Sequence, residues 1–87
     1  MANTHQELRG QSLLPNERVQ AAWFVLQTQI MGGASKKDVR EHYQKAMGYI
    51  DALRDAELID AADFKLMATI VLRALNDALE RLHNQAD

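Results

Sequence analysis

Side chains that could do chemistry are few in this chain of 87 residues. Glu80 and His83 stand at positions i and i+3 in "ERLH", which is half of the ligand motif of di-iron carboxylate bundles. Asp38 and His42 stand at i and i+4 and offer two further ligands. A structural metal site needs about four converging ligands, and the Glu80–His83 pair projects away from the apolar side of its predicted helix. We therefore predict no metal and no cofactor.

Nucleophilic catalysis has little support in the sequence. There is no cysteine, and Ser12 and Ser35 are the only serines. Ser35 is better explained as a helix cap, and "GGAS" lacks the length and lysine position of a phosphate-binding P-loop. We predict no catalytic residue and expect that the protein is not an enzyme.

A basic cluster follows the two glycines of "GGASKKDVR": Lys36, Lys37 and Arg40. Cations are disfavoured at the start of a helix, where phosphates are favoured. A helix, a short glycine-containing turn and a second helix is also the general form of a DNA-binding motif. Against this, acidic residues interrupt the cluster and the whole chain has a net charge of −2. Nucleic-acid contact through these three residues, as in a transcriptional regulator, is the alternative functional hypothesis.

Apolar residues recur at alternating spacings of four and three in three segments. This alternation keeps side chains on one side of an α-helix and cannot line one face of a strand. It predicts an all-α protein with helices over about 15–31, 36–57 and 61–83. The three apolar stripes are Val19, Trp23, Leu26 and Ile30; Val39, Tyr43, Ala46, Ile50 and Leu53; and Phe64, Ala68, Val71, Leu75, Ala78 and Leu82.

Both ends of predicted helix 1 and the start of helix 2 have recognisable helix-end residues. Pro15 fits the first turn of helix 1, because its missing N–H would have no partner there. Gly32 and Gly33 end that helix, and we expect one of them to be left-handed. Ser35 is the predicted cap of helix 2, with Asp38 three residues on.

The second corner, "LIDAADF", is equally clear. Asp60 is the predicted cap of helix 3, and Asp63 lies in its first turn, near the positive end of the helix. Ile59 precedes the cap and Phe64 is at the fourth helical position, which predicts a hydrophobic staple.

Short connections make neighbouring helices antiparallel. The predicted architecture is a three-helix antiparallel bundle, in which helices 2 and 3 form a long hairpin and helix 1 packs across it. Residues 1–14 are predicted to be an N-terminal arm, and 15–87 a single helical domain.

More large apolar residues are present than one stripe per helix can hide. Phe24 and Met31 fall roughly 120–140° from the helix 1 stripe, and Leu66 and Ile70 fall on the far side of helix 3. Such a surface usually marks a contact with another molecule. We predict that these four residues form a protein interface, with a homodimer as the favoured assembly. The other explanation is that the N-terminal arm, which carries Leu8, Leu13 and Leu14, covers part of them.

The tract "YIDALRDAELIDAADF" loosely resembles the end of winged-helix domains, where a leucine-bearing helix leads to a Gly-Leu-Ile corner. It also resembles short helical hairpins that serve as oligomerisation modules. Glu57 stands where the winged-helix pattern has glycine, and a helix is predicted where wing strands should follow. No functional residue is carried over from either resemblance.

Composition sets the broad class. The chain is 47% hydrophobic and 25% charged, as in ordinary globular proteins. It has no apolar run near the length of a membrane span and no start like a signal peptide, so a cytoplasmic location is expected. The prediction is a small bacterial- or phage-type accessory protein that acts by binding another protein.

Overall fold

A computed structural model of the protein describes residues 17–85, and these form three helices. They are α1 (Glu17–Met31), α2 (Lys36–Asp55) and α3 (Ala61–Gln85). The described part of the chain contains no strand, so the all-α prediction is confirmed. None of its helices combines the length and the apolar character that crossing a membrane requires. The predicted N-terminal arm and the predicted start of helix 1 at Pro15 lie outside the described residues.

All three helices pack against one another around one core. All three predicted stripes are confirmed as facing the core, because every residue in them is buried or packs against the buried cluster. Ile30, Val39 and Ile50 are completely buried. The buried core consists of Trp23, Leu26, Ile30, Val39, Ala46, Ile50, Leu53, Ile59, Met67, Val71, Ala74 and Ala78.

Helix α3 is rotated relative to the prediction. Its most buried residues are Met67, Val71, Ala74 and Ala78, and most of the predicted stripe is only half-buried. At about 100° per residue, the centre of the buried side lies roughly 50° from the centre of the predicted stripe. The predicted place of Ile70, on the far side of the helix, is therefore wrong: this residue is half-buried and packs against the core. The reason is that Met67, Val71, Ala74 and Ala78 are also spaced by four, three and four, so two overlapping stripes of α3 fit the helical period and only the packing decides which one is more buried.

The first corner depends on a close approach at Gly33. A Cβ atom on this residue would lie 2.5 Å from Cγ2 and 3.1 Å from the backbone nitrogen of Val39. No glycine in the described residues has a positive φ, so the predicted left-handed glycine is wrong. Glycine is needed here because any side chain would overlap the buried Val39.

The predicted cap of α2 is confirmed. The backbone N–H of Asp38 donates to Oγ of Ser35 at 3.0 Å. The Asp38 carboxylate in turn accepts from the backbone N–H of Ala34 at 3.0 Å. This is a variant of the reciprocal capping box, reaching one residue further back.

The second corner also forms as predicted. Asp60 Oδ1 accepts from the backbone N–H of Asp63 at 2.8 Å and so caps α3. Ile59 is buried, and Phe64 packs against the same core. These two residues occupy the N′ and N4 positions of a hydrophobic staple. Helix α2 ends at Asp55, two residues earlier than predicted, because Glu57 turns left-handed with a φ of 61°.

Candidate interaction surface

Two of the four predicted interface residues lie on one outer stripe of α1. Phe24 is 68% exposed and Met31 is 55% exposed. They are seven residues apart, so they share one side of the helix. Thr28 lies between them, and its hydroxyl donates to the backbone carbonyl of Phe24 at 2.9 Å. The polar atom in this stripe is therefore already hydrogen-bonded within the helix.

The other two predicted residues lie one turn apart on α3. Leu66 is 46% exposed, and Ile70 is half-buried against the core. Thr69 stands beside them and donates its hydroxyl to the carbonyl of Lys65 at 2.9 Å, as Thr28 does on α1. Covering this stripe would therefore leave neither threonine hydroxyl without a partner, which removes a common cost of burial.

The stripes on α1 and α3 border the same seam. Met31 adjoins Asp77, Ala78 and Arg81 in a small open recess between the two helices. Connections of only four and five residues join α2 to its neighbours, so α1 and α3 both run opposite to α2 and in the same direction as each other. Residues seven positions earlier on the two helices are therefore side by side as well. Phe24 is then level with Ile70. We call Phe24, Met31, Leu66 and Ile70 together the apolar edge.

Arg81 holds the seam at one end. Its Nη2 donates to the carbonyl of Met31 at 2.8 Å and to the carbonyl of Gly33 at 2.9 Å. Helix α1 has no basic residue in its own last turn. Arg81 therefore supplies from α3 the positive charge that the carboxyl end of α1 favours. The recess beside it has a volume of about 160 Å³, well below that of a usual small-molecule pocket.

The predicted nucleic-acid contacts are accessible. Lys36, Lys37 and Arg40 are all exposed in the first turns of α2, after a connection spanning 32–35. Asp38 lies among them, and its carboxylate accepts the backbone N–H of Ala34 just before the helix. The helix end therefore already holds a carboxylate where a phosphate would otherwise bind.

The histidine pairs lie where the sequence placed them. His42 Nε2 is 3.3 Å from Asp38 Oδ1. Glu80 and His83 are both exposed on the outside of α3. Among residues 17–85, no three His, Asp or Glu side chains come together in a group that could hold a metal ion.

Four further residues, Val25, Leu58, Leu72 and Arg81, were not singled out from the sequence. Val25, Leu58 and Leu72 are large apolar side chains that are about half exposed. Counting every apolar residue outside each stripe would have found Val25 and Leu72. Arg81 could not have been found in this way, because its partners are backbone carbonyls, which every residue has.

Comparison with protein-family models, with curated proteins and with solved structures finds no match to this chain.

Proposed function

We propose that this protein is a small non-enzymatic accessory protein that acts through its apolar edge, on which a second copy of the chain binds to form a homodimer. The supporting observation is the exposure of Phe24 at 68%, with Met31 and Leu66 about half exposed beside the same seam. Large side chains grouped in this way cost free energy in water and favour a contact that covers them. Thr28 and Thr69 also support the proposal. Their hydroxyls are hydrogen-bonded within their own helices, so removing water from the apolar edge leaves neither hydroxyl without a partner.

Phe24→Glu tests this function, with Val25→Glu as the matched control. Both residues are exposed on α1, but Val25 lies on another side of the helix, away from Met31. We expect Phe24→Glu to convert the protein to monomer, because it places a charge in a contact that excludes water. Val25→Glu should leave the dimer intact.

The measurement is sedimentation equilibrium at micromolar concentration, with circular dichroism to check helicity. If the natural protein is itself a monomer at this concentration, the proposal is contradicted. It is also contradicted by equal losses of dimer in the two variants, since the contact would then not depend on the apolar edge. Loss of helicity in Phe24→Glu alone would show that this side chain supports the fold instead.

DNA binding is the second candidate. It is supported by the exposure of Lys36, Lys37 and Arg40 together at the start of a helix that follows a short turn. The carboxylate of Asp38 within the cluster weighs against it. A salt titration with duplex DNA separates the two functions, because binding through phosphates weakens steeply as salt rises.

A further inference from the structure

The charges on α3 restrict how a second copy can bind to the apolar edge. Asp63, Leu66, Ile70 and Arg73 follow one another at spacings of three, four and three. At about 100° per residue they lie within roughly 40° of one common direction on the helix. Asp63 and Ile70 are half-buried and the other two are exposed, so this stripe is accessible along its length.

These four positions, with an acid first, a base last and two apolar residues between, are self-complementary in one orientation. Asp77 follows Arg73 on the same side of α3, and in that orientation it lies opposite the buried Ile59 of the second copy. Antiparallel pairing around the level of residue 68 sets Leu66 of each copy against Ile70 of the other. The pair Asp63 and Arg73 is also centred on residue 68. The same pairing therefore sets Asp63 of each copy against Arg73 of the other. A two-fold axis makes every such contact twice.

Other arrangements of the stripe are less favourable. Parallel pairing about a two-fold axis would bring each residue against its own copy, so Asp63 would face Asp63 and Arg73 would face Arg73. An antiparallel pair shifted by about one turn, centred on Ile70, would bring Asp63 against Asp77. Like charges placed in this way oppose association.

We propose that two copies of the chain associate through antiparallel α3 helices, with Leu66–Ile70 contacts at the centre and Asp63–Arg73 ion pairs outside them. This inference rests on the proposed homodimer and specifies its geometry. Phe24 is level with Ile70 of its own chain, and therefore with Leu66 of the second copy. Phe24 therefore extends the proposed contact from α3 onto α1.

Paired cysteines test the geometry, since the natural chain has none. In Asp63→Cys/Arg73→Cys, the cysteines of one chain are about 15 Å apart along α3 and cannot bond to each other. In the proposed dimer, each faces the other cysteine of the second copy, with Cα atoms roughly 4–6 Å apart for helices packed at the usual distance. Mild oxidation should therefore give a covalent dimer of twice the monomer mass of 9.8 kDa.

The controls distinguish this contact from random collision. Asp63→Cys and Arg73→Cys alone should remain mostly monomeric on a denaturing gel, because identical positions are about 15 Å apart in the proposed pair. Lys65→Cys/Asn76→Cys, on the exposed outer side of α3, should also fail to cross-link. Cross-linking of the outer pair, or of the single variants as efficiently as the double one, would overturn the geometry.

A second set of variants needs no cysteine. Arg73→Glu should weaken dimerisation about tenfold, because two attractive contacts per dimer become repulsive. Asp63→Lys/Arg73→Glu should recover most of this loss, since the opposite charges are then exchanged. If the natural sequence is a dimer but neither experiment gives these results, the antiparallel geometry fails and the proposed function stands. If it is a monomer, both fail.

Discussion

At the scale of single residues, the most unusual one is Glu57, at the end of α2. Its N–H donates to the carbonyl of Arg54 at 3.0 Å, and the N–H of Leu58 donates to the carbonyl of Leu53 at 2.9 Å. These two bonds define a Schellman motif, whose left-handed position is usually glycine. Here that position is occupied by Glu57, which has a Cβ and a φ of 61°.

Glu57→Gly should therefore stabilise the protein. A left-handed residue with a Cβ costs about 1–2 kcal/mol relative to its usual conformation, and glycine avoids most of this cost. Part of the gain is lost to the greater freedom of glycine in the unfolded chain. We expect the free energy of unfolding, measured by urea denaturation, to rise by about 1 kcal/mol.

Glu57→Ala is the control for that prediction, because it removes the charge and keeps the Cβ. It should change stability by less than the glycine variant does. Equal stabilisation by alanine and glycine would show that the carboxylate, and not the backbone conformation, causes the cost.

At the scale of elements, the sequence predicts what is local and misses what is shared between helices. Ser35 and Asp60 cap their helices as predicted, since a cap depends on residue type within one turn. The sequence does not predict the rotation of α3, because two overlapping stripes on this helix have the same apolar spacing and the spacing does not show which one faces the other helices. Ile70 was therefore placed outside when it is half-buried.

Arg81 is the side chain through which α3 fixes the end of α1. Arg81→Met keeps most of the aliphatic stem and removes both hydrogen bonds to the carbonyls of Met31 and Gly33. Hydrogen bonds from charged groups are worth about 1.5–3 kcal/mol when buried, and this pair is partly exposed. We expect a loss of about 1 kcal/mol in urea denaturation.

The loss should be local as well as global. Amide hydrogens in the last turn of α1 should exchange faster in Arg81→Met, while those in the middle of α2 should be little affected. Arg40→Met, a change at an exposed arginine elsewhere, should leave exchange in α1 unchanged. Equal protection of α1 in Arg81→Met and the natural protein would rule out this role of Arg81.

At the scale of the whole molecule, the helical architecture follows from the sequence, but the use of its surface does not. Apolar spacing identifies three helices and an excess of large side chains, and it correctly leaves Phe24, Met31 and Leu66 exposed. The excess does not identify the molecule that covers it, because an apolar surface is not directional. Only the order of charges along α3 favours one relative orientation of the two molecules. It does so only if the second molecule is another copy of this chain.

The charge distribution also limits nucleic-acid binding. The whole chain has a net charge of −2, so any attraction to phosphates must come from the cluster at the start of α2. Along the same helix the exposed outer side continues with Glu41, Asp51 and Asp55. Lys45 and Arg54 are exposed among these acidic residues, so a duplex lying along α2 would meet concentrated positive charge at the cluster and mixed charge beyond it.

We accordingly expect no duplex binding that depends on the basic cluster. In a titration with labelled duplex DNA at about 50 mM salt, the natural protein should bind no more tightly than Lys36→Glu/Lys37→Glu, and neither should bind at about 200 mM salt. Lys45→Glu/Lys65→Glu makes the same change of charge at two exposed lysines outside the cluster and serves as the control.

If the cluster instead binds phosphates, the natural protein will bind at low salt and its affinity will fall steeply as salt rises. Removal of each cluster lysine will then reduce the slope of log affinity against log salt by about one, while the control variant retains the full slope. That result would favour a DNA-binding regulator, because affinity gained by releasing counterions comes from phosphate contacts and not from the apolar edge.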